Sequence, residues 1–133
     1  MMKNSDIRKA VLTALQRNIS DAVTWFDGRP GFLDEQDLPA VAVYLSDARA
    51  SDESVDEDMW TAVLHVEVFL KATATDSALD SWMEDRIYPA MADVPELANL
   101  LELMAAQGYD YQRDEEAMTW GSADLSYSIS YIM

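Results

Sequence analysis

Trp60-Thr61-Ala62-Val63-Leu64-His65-Val66-Glu67-Val68-Phe69-Leu70 is the stretch that decides the fold. Trp60, Ala62, Leu64, Val66, Val68 and Leu70 occupy alternate positions, with Thr61, Val63, His65, Glu67 and Phe69 between them. Successive side chains of an extended chain point to opposite faces, so this period of two predicts a long antiparallel strand with one uniformly apolar face. At the C-terminal end, Ala123, Leu125, Tyr127, Ile129 and Tyr131 alternate with Asp124, Ser126, Ser128 and Ser130 in the same way. Two strands are thus fixed, each able to bury one face.

Working outward, Leu38-Pro39-Ala40-Val41-Ala42-Val43-Tyr44-Leu45 reads as another strand, with proline at its start, where a missing N–H does least harm. Ala22 to Phe26 is β-branched and aromatic, and Asp27-Gly28-Arg29-Pro30-Gly31 supplies a turn after it. Ile7, Val11, Ala14 and Leu15 recur at helical spacing, which predicts a first helix capped by Asn4 or Ser5 and ending near Arg17. Leu79, Trp82, Met83 and Ile87 predict a second helix, beginning after Thr75 or Asp76 and stopped by Pro89. A third is expected from Asp93-Val94-Pro95-Glu96, where Asp93 and Glu96 have capping-box spacing and Gly108 would end it. Tyr109 to Arg113 is a further strand. Between Asp47 and Asp58 six acids and one base fall in twelve residues, too polar for a core and expected as a hairpin loop or mobile arm. Strands grouped in hairpins predict a single α+β domain: a mostly antiparallel, possibly mixed sheet with about three helices on one face.

The chain has 133 residues, no cysteine, one histidine, 9 Lys+Arg and 25 Asp+Glu, a net charge of −16. Half of the residues are hydrophobic, so a core is within reach despite the charge. An acidic surface repels DNA, RNA and anionic membranes as primary ligands, because gripping phosphate takes Lys and Arg. The absence of cysteine excludes thiolate catalysis and Cys-ligated zinc. No uncharged stretch exceeds nine residues, as in Leu38 to Ser46, against roughly 18 needed to span a bilayer. The charged start Lys3 to Asp6 shows no signal-peptide pattern, and a soluble cytoplasmic protein is expected. The charge is uneven: residues 1 to 33 hold five bases and three acids, net +2, and the remainder is net −18. That split reads either as ordinary solvated charge or as a docking face for an acidic partner, including another copy of the chain.

Catalytic motifs are sparse. With four glycines and no G-x-G-x-x-G, P-loop or G-x-S-x-G, phosphate-cradling and nucleophile-elbow chemistry are not expected. A Ser-His-acid triad would have to use His65, beside Glu67 on the second face of its strand; a polar residue at a subunit contact or in solvent is the plainer reading. The acidic run 52–58 lacks the glycine-bearing frame of an EF-hand, so no dedicated metal site is expected. Trp25, Trp60, Trp82, Trp120 and the eight methionines read as core rather than as a ligand box, and Trp120, beside Asp114-Glu115-Glu116 and Gly121, is the first of them expected at a surface contact. On the residues alone the chain is an acidic α+β domain without evident enzymatic equipment.

A resemblance carries the reading further. Trp25-Phe26-Asp27-Gly28-Arg29-Pro30, Leu38 to Leu45, His65-Val66-Glu67-Val68-Phe69-Leu70, Asp80 to Pro89, Gly108 to Asp114 and Ser122-Ala123-Asp124-Leu125 resemble, in order and over nearly the whole chain, the tail terminator (minor tail protein U) family of lambda-like phages. The chain departs from that pattern at Asn18-Ile19-Ser20 and from Arg49 to Glu53. The resemblance implies a non-catalytic protein needing no cofactor. It would form a homohexameric ring on the last ring of the tail-tube protein, stop tube polymerisation, and offer a surface to a head-completion (connector) protein while DNA passes through. It would lie in the host cytoplasm during assembly and in the virion tail afterwards. The apolar face of Trp60, Leu64, Val66 and Val68 would then pack on helices, leaving Thr61, His65, Glu67 and Phe69 for a neighbouring subunit or the ring lumen. Arg29 and Arg86 would pair with acids of the next subunit, Asp76 among them, unless Arg86 pairs within its own helix. Mg²⁺ or salt would promote oligomers by screening the acidic surface. The alternative is a monomeric acidic adaptor for a basic protein partner.

Overall fold

The computed structural model describes residues 2–51 and 58–133. It is an α+β fold in which five strands form one mixed sheet, order β1-β2-β3-β5-β4, under two helical segments. The strands are β1 (Thr24–Asp27), β2 (Ala40–Ala50), β3 (Met59–Lys71), β4 (Leu103–Arg113) and β5 (Trp120–Ile132). β1 runs parallel to β2, and the other three pairings are antiparallel.

The deciding stretch forms the central strand. β3 pairs with β5 over thirteen positions, from Met59↔Ile132 to Lys71↔Trp120. Its alternation lays Leu64, Val66 and Val68 against Leu125, Ile129 and Tyr131 in one core, closed by Ile7, Val11 and Leu15 of α1 (Lys3–Asn18) and by Leu79, Met83 and Ile87. These side chains are buried, and full burial of an aliphatic side chain contributes about 1.5–3 kcal/mol each.

Several local expectations are corrected. α1 begins at Lys3 with Met2 at its cap position and no side-chain cap, so Asn4 and Ser5 lie inside the helix. The second helical segment does begin after Thr75, as expected, and the Thr75 side chain caps it by accepting from the Ala78 N–H. Pro89 does not stop that segment. It runs through α2 (Asp76–Trp82), a wide π turn (Met83–Ile87) and α3 (Tyr88–Met91), with the proline just after the π turn. The third helix is absent: residues Pro95–Asn99 make only a 3₁₀ turn without a side-chain cap, and the chain then enters β4. Gly108 lies within that strand at φ +133, at a register shift between Ala106 and Gly108. Asp47 to Ala50 extend β2 rather than a loop, with a bulge after Ser46 and Asp47 at φ +55. The rest of the expected acidic loop, 52–57, lies outside the described residues. A cis peptide precedes Pro39.

The second sheet face is not open throughout. The β1–β2 connection folds over its upper end, and Leu33 and Leu38 form a smaller core with Phe26, Ala40, Ala42, Phe69 and Trp120. Phe69, expected at a subunit contact or in the lumen, is instead buried in this second core.

Candidate functional site

Below this small core, β2, β3 and β5 place polar side chains side by side. Glu67 is fully buried. Its carboxylate accepts from the Ser122 hydroxyl at 2.6 Å and the Tyr44 hydroxyl at 2.8 Å, and Arg29 Nε lies 3.5 Å away. Register sets Glu67 directly across from Asp124, a like-charge pair that would repel. The Tyr44 hydroxyl sits between them, 3.3 Å from Asp124 Oδ2. Burial pushes the Glu67 carboxyl above the usual carboxylate range and the Asp124 charge adds to this, against the hydrogen bonds and Arg29. The Tyr44 hydroxyl is pushed up, first by burial and then by Glu67.

His65 is held on three sides. Its Nδ1 lies 3.0 Å from the Asp124 carboxylate, its Nε2 lies 2.7 Å from Ser46 Oγ, and the Tyr44 ring stacks on it at 4.5 Å with 7° between planes. With Nδ1–H turned to the carboxylate, Nε2 is left to accept from the serine. The order serine, histidine, aspartate is that of a hydrolytic triad. Ser46, however, lies inside a strand opposite Val63, not on a sharp strand-to-helix turn that exposes the hydroxyl and gathers amide donors for an oxyanion. The geometry satisfies a half-buried histidine and ties three strands together.

Arg29, His65 and Glu67, expected as contact residues, thus converge on one network, with Trp120 packed edge-on against Phe69 at 5.1 Å above it. Asp76 and Arg86 lie apart, on the helical layer. Arg113 donates to Asp76 at 2.6 Å and to the Ala74 carbonyl at 2.9 Å. Arg86 pairs with Asp21 of the α1–β1 connection at 3.2 Å, and not with an acid of its own helix; its guanidinium lies 4.5 Å from the centroid of the Trp82 ring. On the same side, Tyr109 (2.7 Å) and Tyr111 both donate to Asp80, tying the edge strand β4 to α2 and holding that carboxyl below its ordinary range.

Sequence reading passed over Tyr44, Ser46, Ser122 and Asp124, which complete the network, and the exposed Phe32 and Met118. Alternation had put Asp124 on the polar side of its strand, but only the β3–β5 register brings it and Ser122 to His65 and Glu67. Among the described residues no group of three or more acids and histidines is arranged to hold a metal ion, and no helix is long and apolar enough to cross a membrane.

The described residues thus form a small mixed sheet with a polar network on one face and several large apolar side chains exposed to solvent. The comparisons define the class more closely: the chain belongs to the phage minor tail protein U family, whose model matches residues 2–131. It is 54% identical over 132 residues to the tail tube terminator protein of Escherichia phage N15, covering 99% of this chain and 100% of that one. Identity and coverage are the same for the tail tube terminator protein of Escherichia phage lambda.

Proposed function

We propose that this chain is a phage tail terminator, which ends tail-tube growth by assembling as a homohexameric ring on the last ring of tube protein. The observation that carries the reading is end-to-end similarity, at 54% identity, to two proteins named for that role. The ring would then receive the head-completion protein, let DNA pass without gripping it, form in the host cytoplasm and remain at the head-proximal end of the tail. A head-to-tail ring needs two unlike patches on each subunit. The fold offers two unlike sheet edges: the short β1 in the basic N-terminal region, and the eleven-residue β4, exposed along most of its length. Charge supports the same pairing. Among the described residues Lys3 and Lys9, both on α1, are the cations without a carboxylate partner, while β4 and its flanks carry Glu102, Asp110, Glu115 and Glu116.

Arg29, Asp76 and Arg86 already have partners in their own chain, so a role in the ring requires them to share or exchange those partners. Asp76→Ala is expected to leave sedimentation mass at the monomer. If Arg113→Ala does the same, Asp76 acts by fixing Arg113; if Arg113→Ala assembles, Asp76 contacts the next copy directly. Six chains at −16 bring together roughly 96 negative charges, so Mg²⁺ or added salt is expected to shift the distribution toward rings by screening. No cofactor is needed for this role. The decisive experiment adds the purified protein to tails lacking a terminator. Fixed tail length and attached heads support the proposal; continued tube growth refutes it. A sedimentation mass that stays monomeric on the tube points instead to an acidic adaptor.

A further inference from the structure

The second sheet face carries acids in a row. Register places Glu67 of β3 beside Asp124 of β5, and Asp124 beside Asp110 of β4, so three carboxyl groups stand on neighbouring strands. Glu67 is fully buried and the Asp124 side chain is 11% exposed, whereas Asp110 reaches solvent. Facing the buried pair are the Tyr44 hydroxyl of β2, His65 of β3 and, from the β1–β2 connection, Arg29. Among the described residues, hydrogens are short in this group. Ser122 donates to Glu67 Oε2, and His65 Nδ1–H is turned to Asp124. The Tyr44 oxygen lies 2.8 Å from Glu67 Oε1 and 3.3 Å from Asp124 Oδ2. Three oxygens joined by two contacts take two hydrogens, and the tyrosine brings one. With both carboxyls ionised, one contact would set lone pairs against lone pairs between two like charges. A carboxylic proton fills the gap, and the relay then runs either way: from Asp124 through Tyr44 to Glu67, or from Glu67 through Tyr44 to Asp124.

The surroundings decide where that proton rests. A charge on Asp124 has the His65 N–H and some solvent. A charge on Glu67 has no solvent, and Arg29, its cation among the described residues, stands off with Nε at 3.5 Å and nearly half of its side chain in water. An ionised pair of this kind normally closes to about 2.9 Å or less, so the separation fits a neutral carboxyl. Burial pushes the Glu67 carboxyl up and holds the tyrosine's own proton in place, which acts in the same sense. We propose that Glu67 and Asp124 hold one proton between them at neutral pH, resting on Glu67, and that this proton releases Arg29, which closes on Glu67 when the proton leaves. The network is thus a proton-set latch on the β1–β2 connection. It is complete in the single chain. In a ring it would let Arg29 exchange partners without stranding a buried charge.

The test uses the full chain. Infrared spectra should show a carboxylic acid C=O band at neutral pH, and Glu67→Gln should remove it. As pH is raised, nitrogen NMR of the Arg29 side chain should change with the same midpoint as the loss of that band, and should show no such step in Glu67→Gln. Asp124→Asn takes away the opposing charge and brings N–H groups that can donate to Tyr44, so the band should be lost about one pH unit or more below the parent's midpoint. Thermal unfolding checks that both variants fold; if one does not, the parent's band and Arg29 signal still decide. Absence of the band from the parent at neutral pH overturns the proposal, as does an Arg29 signal that ignores the band's loss. A midpoint unmoved by Asp124→Asn overturns the sharing, since the proton would then belong to Glu67 through burial alone. All three readouts come from the chain by itself, so their failure leaves tube capping standing, and a failure to cap tubes leaves the latch standing.

Discussion

Replacing Met118 with asparagine is expected to raise stability although it removes an apolar side chain. At φ +54 the Cβ of an L residue crowds the neighbouring carbonyl, at a cost of about 1–2 kcal/mol that asparagine partly escapes by hydrogen bonding locally. Relief of about 1 kcal/mol is therefore available. Against it stands what Met118 buries. With 73% of the residue exposed, only about a quarter of the roughly 1.5–3 kcal/mol of full burial is at stake, about 0.5 kcal/mol. The balance is a gain of about 0.5 kcal/mol. Unfolding entropy for 133 residues is about 0.28 kcal/mol/K, so Tm should rise by about 2 °C. Met118→Ala keeps the strain and loses the packing, and should lower Tm by about 2 °C on the same arithmetic. Met118→Gly relieves the strain but adds about 0.5–1 kcal/mol of unfolded-chain entropy, and should fall near the parent. The assay is thermal unfolding by circular dichroism at low protein concentration without Mg²⁺, so that subunit association does not contribute. If the asparagine and alanine variants shift Tm in the same direction, left-handed strain at this turn is refuted.

Two other perturbations probe the sheet. Gly108→Ala adds a Cβ that meets nothing within 4 Å, so its cost is purely that of an L residue at φ +133, about 1–3 kcal/mol; a loss below about 0.5 kcal/mol in urea unfolding would show that the β4 bulge does not depend on this conformation. Glu67→Gln tests the buried carboxylate through pH. Because burial raises the folded-state pKa above the unfolded one, the stability Glu67 contributes is full below the unfolded value and is lost as pH rises through the folded value. The glutamine variant lacks that loss, so its stability relative to the parent should increase from pH 4.5 to pH 7.5; a flat or narrowing difference would sink the assignment.

The strands were legible because burial on one face writes a period of two into the sequence, and β3 and β5 are long enough for that period to be unmistakable. Errors arose where one residue type serves two geometries. Gly108 reads equally as the residue past a helix end or as a strand bulge, since both use positive φ. Taken as a helix stop, it turned residues 94–107 into a helix, although Val94, Leu97 and Leu100 are spaced by three, as a 3₁₀ turn also allows. Asn4 and Ser5 misled similarly, being capping residue types that here lie two and three residues past the cap position.

The network was half legible for a different reason. Alternation placed His65 and Glu67 on the second face, but what covers that face is a connection whose anchors, Leu33 and Leu38, flank a short acidic turn and carry no period. Without them Glu67 looks solvent-facing when it is buried. The adjacent pair Phe32 and Leu33 makes the same point in reverse. One is buried and the other is the most exposed aromatic of the described residues, and nothing in their composition separates them. A sequence folding only for stability would put a polar side chain at 32 and asparagine at 118. That both positions carry large apolar residues, at one end of one sheet, is a local conflict with the fold that a partner surface resolves.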